Sequence, residues 1–147
     1  MRIVAARPAN VKLIAPLFAG YLKFYKKRAT PAAVRKFLAA RLRRHESVIY
    51  LAFAGKEAVG FVQLYPTWSS LSLQRLWILN DLFVLPVARR TGVAKALMNR
   101  ARRLAEVTGA EGLILETAVS NLKAQRLYEN HAWKRDTKFY RYCLNIP

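Results

Sequence analysis

The run from Leu76 to Leu85 is apolar at every position except the adjacent Asn80 and Asp81. A strand without polar alternation is typically buried on both faces, like the central strands of α/β proteins. Pro86 follows directly and ends the run, because proline cannot donate to a hydrogen-bonding ladder. Each face of such a strand needs a covering layer, so the run predicts a layered α/β fold with this strand near its centre.

Changes in the spacing of apolar residues mark the other elements. Helical spacing over Val11–Tyr25 predicts a helix that kinks or begins late at Pro16, and Thr30 before Pro31 marks the start of a second helix. In chain order we predict a strand over Met1–Ala6, these two helices, a hairpin of Val48–Ala54 and Ala58–Tyr65, a loop over Pro66–Leu73, the Leu76–Leu85 strand, a helix over Gly92–Thr108, a strand over Leu113–Thr117, a helix capped by Ser120 or Asn121, and a strand over Phe139–Leu144. The order β-α-α-β-β-β-α-β-α-β is a mixed α/β architecture, and 147 residues fit one domain over residues 1–147.

Composition argues against several classes of protein. The single cysteine, Cys143, rules out an intrachain disulfide and a cysteine-built zinc site, and we expect it to be a small buried hydrophobe. Two histidines argue against a histidine-rich metal site, so no metal is predicted. No apolar stretch reaches the roughly 18 residues of a membrane span, and no targeting segment is evident. We therefore expect a cytoplasmic protein with no membrane partner.

The charge of the chain is strongly one-sided. Lys and Arg number 26 against 8 Asp and Glu, a formal net charge of +18, and Lys23–Arg44 holds nine basic residues and no acid. A field of this sign attracts anions. Two interpretations stay open: the field gathers an anionic small molecule, or it forms a nucleic-acid or ribosome-associated surface whose affinity falls with salt. We favour the simpler interpretation of the Lys23–Arg44 segment, a solvated basic helix face, over a nucleic-acid partner.

A short basic loop joins the buried strand to the long helix. Its residues are Arg89, Arg90, Thr91, Gly92, Val93, Ala94 and Lys95. Glycine lets the backbone approach a ligand closely, and the free N–H groups at a helix start favour an anion. The loop thus predicts a pyrophosphate site, with an ordinary basic turn as the alternative. The patterns G-x-x-x-x-G-K-[ST] and G-x-G-x-x-G are both absent, which excludes a P-loop NTPase and gives no support to a dinucleotide fold.

Three spaced motifs together resemble the GNAT superfamily of N-acetyltransferases. The first is an acid, an apolar run and a proline, from Asp81 to Pro86. The second is Arg89-x-x-Gly92-x-Ala94, which is similar to the family's R/Q-x-x-G-x-G/A loop for acetyl-CoA. The third is Asn121 with Tyr128 seven positions further on. The resemblance follows the whole predicted element order and is strongest from Asn80 to Tyr142.

The resemblance implies direct transfer of an acetyl group from acetyl-CoA to a primary amine within a ternary complex, without a metal. It implies that the amides of Arg89–Lys95 hold the pyrophosphate. It also implies that the backbone of Leu82, Phe83 and Val84 pairs with the pantetheine arm, where one N–H polarises the thioester carbonyl. Asn121 would bond to the co-substrate, and Tyr128 would protonate the departing thiolate as general acid. A core tyrosine is the alternative for Tyr128.

The base and the acceptor pocket are less determined by these motifs. Asp81 is the candidate to deprotonate the amine, directly or through a water. The alternatives are a water relay through backbone carbonyls and a structural role for Asp81, as a cap or in a salt bridge to Arg75 or Arg89. Asn80 stands where some relatives carry an acid. Aromatic residues could hold a small-molecule or peptide amine by cation–π contact, or could simply pack in the core: Tyr25 and Tyr65, with Tyr21, Phe24 and Trp68. Many relatives form dimers, so a homodimer is expected.

Overall fold

The apolar run forms the fourth strand of a five-stranded sheet in the computed structural model, which describes all 147 residues, Met1–Pro147. The strands are, in chain order, β1 (Arg2–Ala5), β2 (Val48–Ala54), β3 (Glu57–Ser69), β4 (Gln74–Val84) and β5 (Gly112–Ile114). They lie across the sheet in that same order, antiparallel except for the parallel pair β4 and β5. The mixed sheet with its helices confirms the predicted α/β class.

Three helices belong with the sheet to a unit that spans Met1–Leu115: α1 (Val11–Phe24), α2 (Pro31–Arg43) and α3 (Val93–Val107). A second unit, Glu116–Pro147, contains α4 (Leu122–Glu129). Short 3-10 turns precede α1 and α3, at Pro8–Asn10 and Pro86–Ala88. The element order up to α4 is as predicted, and the assignment of residues 1–147 to one domain stays a prediction.

The sheet of the first unit is covered on both faces, which explains why β4 shows no polar alternation. On one face, α1 and α2 pack onto alternate residues of β2, namely Ile49, Leu51 and Phe53, in one apolar cluster. The intervening Tyr50 faces the other way, towards α3, where the Arg100 guanidinium lies 5.0 Å from its ring centroid. Side chains of a strand alternate between faces, so α3 covers the second face.

At two prolines an element continues where the sequence predicted a late start or a loop, because neighbouring structure overrides proline. Helix α1 runs through Pro16 from its start at Val11, so the late start does not occur. The cost is one intrahelical bond near the helix start, and the buried Ile14 and Leu17 on either side favour the helix. Strand β3 continues to Ser69 where a loop was predicted. A strand tolerates Pro66 there because β2 ends opposite Leu64, which leaves one side of β3 without a neighbour.

The last predicted strand, over Phe139–Leu144, does not form. Its aromatic residues favour extended backbone, but a strand also needs a neighbour that satisfies its backbone groups, and none pairs with this segment. Phe139, Tyr140, Tyr142 and Leu144 are accordingly all strongly exposed. Cys143 is exposed as well, so its predicted burial was wrong for the same reason.

Candidate active site

Asp81 lies beside a bulge in β4. Leu79 pairs with Leu64 of β3 and Asp81 pairs with Gln63, so Asn80 is an extra residue without a partner in the ladder. A bulge of this kind bends a strand and re-aims the neighbouring side chains, and bulges are frequent beside active sites. Here it brings an exposed amide, Asn80, next to a buried carboxylate, Asp81.

The Asp81 carboxylate is held by side-chain amides on both of its oxygens. Gln63 Nε2 donates to Asp81 Oδ2 at 2.7 Å, and Asn80 Nδ2 donates to Asp81 Oδ1 at 3.1 Å. Ser47 Oγ in turn donates to Gln63 Oε1 at 2.8 Å. Asp81 forms no ion pair, so the alternative of a structural salt bridge to an arginine does not hold. Arg75 instead stacks its guanidinium 4.6 Å from the Trp68 ring centroid.

Two tyrosines lie beside this carboxylate. The Tyr21 hydroxyl donates to the Asn80 carbonyl at 3.4 Å, and burial raises the pKa of Tyr21 well above its usual range, with Asp81 adding to the effect. Burial, followed by the Asp81 charge, also raises the pKa of Tyr65 to about 12. Both hydroxyls are therefore protonated at neutral pH and act as hydrogen-bond donors rather than bases. The half-exposed Tyr25 packs edge-on to Tyr21, with ring centroids 5.0 Å apart.

The second half of β4 has an open edge. Strand β5 pairs only with Leu76–Ile78, so the residues after this segment have no strand on that side. On the other side, Leu85 N donates to Val59 O of β3 at 2.9 Å. Backbone groups of successive residues point to opposite edges of a strand, so Leu82 and Val84 direct theirs to the open side.

Phe83 packs behind this edge, and Arg89 bonds to its end. The backbone of Phe83 faces β3, and its buried ring packs so close to α1 that a Cβ on Gly20 would lie 2.8 Å from Phe83 Cζ. The Arg89 Nε donates to the Val84 carbonyl at 3.0 Å, and its guanidinium lies 5.9 Å from the Phe83 ring centroid. Arg89 therefore ties the basic loop to the end of β4.

The basic loop ends in unpaired backbone N–H groups at the start of α3. Gly92 has a φ of 87° and Arg90 a φ of 64°, both in the left-handed region. The N–H groups of Val93, Ala94 and Lys95 have no acceptor within the protein, as expected for the first turn of a helix. Such N–H groups, together with the helix dipole, favour an anion, and the pyrophosphate site itself stays a prediction. The Thr91 hydroxyl donates to Ala88 O at 2.7 Å and holds the turn.

In the second unit, Asn121 caps α4 and Tyr128 lies on that helix. The Asn121 Oδ1 accepts from Ala124 N at 3.2 Å, which confirms the predicted helix cap and leaves the amide nitrogen for another partner. Tyr128 is half-buried, and its ring centroid lies 6.1 Å from that of Trp133. The Tyr128 carbonyl accepts from Trp133 N at 3.1 Å and so closes the turn after the helix.

No three His, Cys, Asp or Glu side chains come together as a possible metal site. The helices are also all too short or too polar to span a bilayer.

Comparison with known proteins decides the family. Residues 14–133 match the model of the acetyltransferase (GNAT) family. The chain belongs to the GNAT family of acetyltransferases. Members of this family use acetyl-CoA as co-substrate, and the chain is accordingly an acyltransferase enzyme.

Known relatives align with this acetyltransferase along its whole length. It is 46% identical over 147 residues to the uncharacterized N-acetyltransferase YhfO of Bacillus subtilis, which covers 100% of this chain and 99% of the relative. It is 37% identical to a probable acetyltransferase of Haemophilus influenzae, covering 80% of this chain and 82% of the relative. The crystal structure of a probable acetyltransferase with 48% identity superposes with a TM-score of 0.94 over 100% of this chain and 99% of the other.

Two residues that form hydrogen bonds around Asp81, Gln63 and Ser47, were not predicted from the sequence. Gln63 is the one polar residue in the apolar run from Ala58 to Leu64 apart from glycine. A polar residue within an apolar run also marked Asp81 in the next strand, so the same signal could have predicted Gln63. Ser47 carries no comparable signal, because a serine before a strand is commonplace in turns.

Proposed function

We propose that this enzyme moves the acetyl group of acetyl-CoA to a primary amine by direct transfer within a ternary complex. The observation that carries the proposal is the order of features from β4 into α3. A buried carboxylate at Asp81 is followed by the open backbone edge of Leu82 and Val84, and then by the free amides from Val93 onward. These three features suit, in turn, an amine, a thioester with its pantetheine arm, and a pyrophosphate.

In this proposal the basic loop and the open edge hold the co-substrate. The amides from Arg90 to Lys95 bind the pyrophosphate, helped by the α3 dipole. The Arg89 amide, which was included in the prediction, donates to Pro86 O at 3.3 Å instead. Leu82 and Val84 pair with the amides of the pantetheine arm, and one of their N–H groups stabilises the negative charge that develops on the thioester oxygen. Phe83 supports this edge from behind, and Arg89 fixes its end through the bond to the Val84 carbonyl. The Asn121 side-chain amide donates a further hydrogen bond to the co-substrate.

Proton transfer is assigned to Asp81 and Tyr128. Asp81, directly or through a water, takes the proton of the incoming ammonium, so that the amine nitrogen can attack the thioester carbon. The protonated hydroxyls of Tyr21 and Tyr65 cannot perform this step at neutral pH, which supports Asp81. As the C–S bond breaks, Tyr128 gives its proton to the thiolate. The products are the acetylated amine and CoA.

The acceptor is assigned to the aromatic side of Asp81. Tyr25 and Tyr65 contact the acceptor, and Asn80 donates or accepts a hydrogen bond beside its amine. The acceptor is a small molecule or a peptide with a primary amine. We place the reaction in the cytoplasm and propose a homodimer, which light scattering coupled to gel filtration tests directly.

Thermal unfolding with and without acetyl-CoA, with ATP as the anion control, tests the co-substrate site. A ligand that binds the native state raises the Tm according to its concentration and affinity. We expect acetyl-CoA to raise the Tm well above the ATP value. Equal shifts would indicate a basic surface that binds polyanions, and nucleic acid would then become the leading partner. A positive result is followed by an amine screen with detection of the released thiol, in which Asp81→Asn should lose turnover and keep the Tm shift.

A further inference from the structure

Gln63 places a fully buried amide in the middle of β3. Its exposed fraction is 0%, and the neighbours Phe61, Val62 and Leu64 are equally buried. A buried amide is costly unless each of its groups is bonded, and a strand whose other buried positions are apolar does not require one. The two hydrogen bonds that Gln63 makes, to Ser47 and Asp81, therefore call for a reason other than stability.

These two bonds set the orientation of Asp81. The Gln63 Nε2–Asp81 Oδ2 distance of 2.7 Å is short, as expected for a bond to a charged acceptor. Ser47, itself buried, satisfies Gln63 Oε1 and so keeps the amide N–H turned towards the carboxylate. The Oδ2 side of Asp81 thus faces the interior, and Oδ1 lies on the side of the exposed bulge residue Asn80.

We propose that Gln63, held by Ser47, is a positioning residue that keeps Asp81 Oδ1 turned towards the incoming amine. The proposal rests on the assignment of Asp81 as base. Gln63 touches neither substrate; it acts through the carboxylate, because an Asp carboxylate rotates freely unless one oxygen is fixed. Ser47 acts one step further away, by fixing the amide of Gln63.

The other titratable and charged groups near the Asp81 carboxylate are two tyrosines and one ion pair. Tyr21 reaches it from α1 and Tyr65 from β3, and both stay protonated because burial and the Asp81 charge raise their pKa values. Beyond Tyr65, Arg41 of α2 forms an ion pair with Glu46, with Arg41 Nε 2.6 Å from Glu46 Oε2. Removing the Gln63 donor therefore acts on one nearby acid.

Steady-state kinetics of Gln63→Leu, Ser47→Ala and Val62→Ala separate positioning from mere packing. Val62 is a fully buried neighbour of Gln63 on β3 and takes no part in the hydrogen bonds around Asp81. Val62→Ala therefore serves as the control for the loss of stability in Gln63→Leu. We expect Gln63→Leu to lower kcat/KM for the amine by about ten- to a hundredfold, as for a misplaced reacting group, with KM for acetyl-CoA unchanged. The acid limb of its pH profile should move to higher pH, because a donor to the charged form is lost. Ser47→Ala should show a smaller effect in the same direction, and Ser47→Thr should restore activity.

A second measurement works without any acceptor. The chain has only two aspartates, Asp81 and Asp136, so 13C labelling of the aspartate carboxyl carbons gives two NMR signals, which Asp81→Asn assigns. In Gln63→Leu the titration midpoint of the Asp81 signal should move to higher pH while Asp136 and the Val62→Ala spectra stay unchanged. An Asp81 titration that Gln63→Leu leaves unaltered would overturn the proposal, as would equal kinetic losses in Gln63→Leu and Val62→Ala. Failure of the wild type to acetylate any amine would remove the proposed function instead, and the NMR result would still decide whether Gln63 controls Asp81.

Discussion

Gly60 lies directly against the backbone of Phe83: a Cβ on Gly60 would be 2.9 Å from the Phe83 carbonyl oxygen. The same Cβ would lie 3.2 Å from Val93 Cγ1 and 3.3 Å from Val84 Cγ2. Strands β3 and β4 and the start of α3 thus meet at a point where only a hydrogen atom fits. This contact connects the open edge of β4 with the helix start that we assign to the pyrophosphate.

Gly60→Ala is therefore expected to destabilise the protein by about 1–3 kcal/mol, the usual cost of overpacking. The added methyl meets a backbone carbonyl, which cannot move without separating the two strands. Urea unfolding measures the effect. Gly112→Ala on β5 is the matched control, since a Cβ there meets nothing within 4 Å and its φ is not positive. Equal stabilities of the two variants would contradict the close packing.

The two glycines at the ends of α3 give a matched test of the pyrophosphate cradle. Gly92 and Gly109 have φ values of 87° and 65°, and neither would place a Cβ near another atom. Alanine at either position costs about 1–2 kcal/mol of left-handed strain. Only Gly92→Ala should also weaken acetyl-CoA binding, by about tenfold in calorimetry, because relief of the strain turns the loop amides away. Equal weakening by Gly109→Ala would remove the loop from the binding site.

Tyr128→Phe tests the general acid. We expect turnover to fall by about a hundredfold or more, since a positioned proton donor contributes that much. The Kd for acetyl-CoA should stay unchanged, because the hydroxyl is used chiefly in the transition state. Tyr140→Phe, an exposed tyrosine of the same unit, is the control and should turn over normally. Full activity in Tyr128→Phe would refute the assignment.

Tyr65 predicts a specific loss of stability at alkaline pH. Burial, together with the Asp81 charge, raises its pKa in the folded state to about 12 from the ordinary 10.0. The part of the free energy of unfolding that depends on the protonated Tyr65 hydroxyl is fully present below about pH 10. It is lost between pH 10 and 12, because the unfolded chain releases this proton first. The free energy of unfolding of the wild type relative to Tyr65→Phe should fall by about 1.4 kcal/mol per pH unit in that window. Urea titrations from pH 8 to 12 measure the difference, and a constant difference would show that Tyr65 is not shifted.

The net charge of +18 predicts the class of acceptor. A positive field speeds the capture of anionic acetyl-CoA and opposes a polycationic amine. We expect amino acids and aminosugars to be acetylated in preference to spermidine in a thiol-release screen. The rate of acetyl-CoA capture should also fall as salt screens the field. Spermidine as the best acceptor would contradict this prediction.

Local patterns were sufficient to predict most of the fold and the unpaired N–H groups at the start of α3. Strand β4 and helix α3 were predicted from the spacing of apolar residues within each segment, and both form near the predicted bounds. The caps at Thr30 and Asn121 also formed, since a cap bonds to an amide three residues away. The anion cradle before α3 follows in the same way, because every helix leaves its first N–H groups unpaired.

The surroundings of Asp81 depended on the tertiary structure, because they are made by residues far apart in the chain. The register of β3 against β4 decides that Gln63 meets Asp81 and that Asn80 bulges out, and a shift by one residue would turn Asp81 to the other face. The absence of a strand over Phe139–Leu144 has the same origin, since backbone pairing needs a partner that local propensity cannot supply. The sequence by itself thus determined most of the elements and the helix-start chemistry, while non-local pairing decided which strands form and which side chains hold the carboxylate.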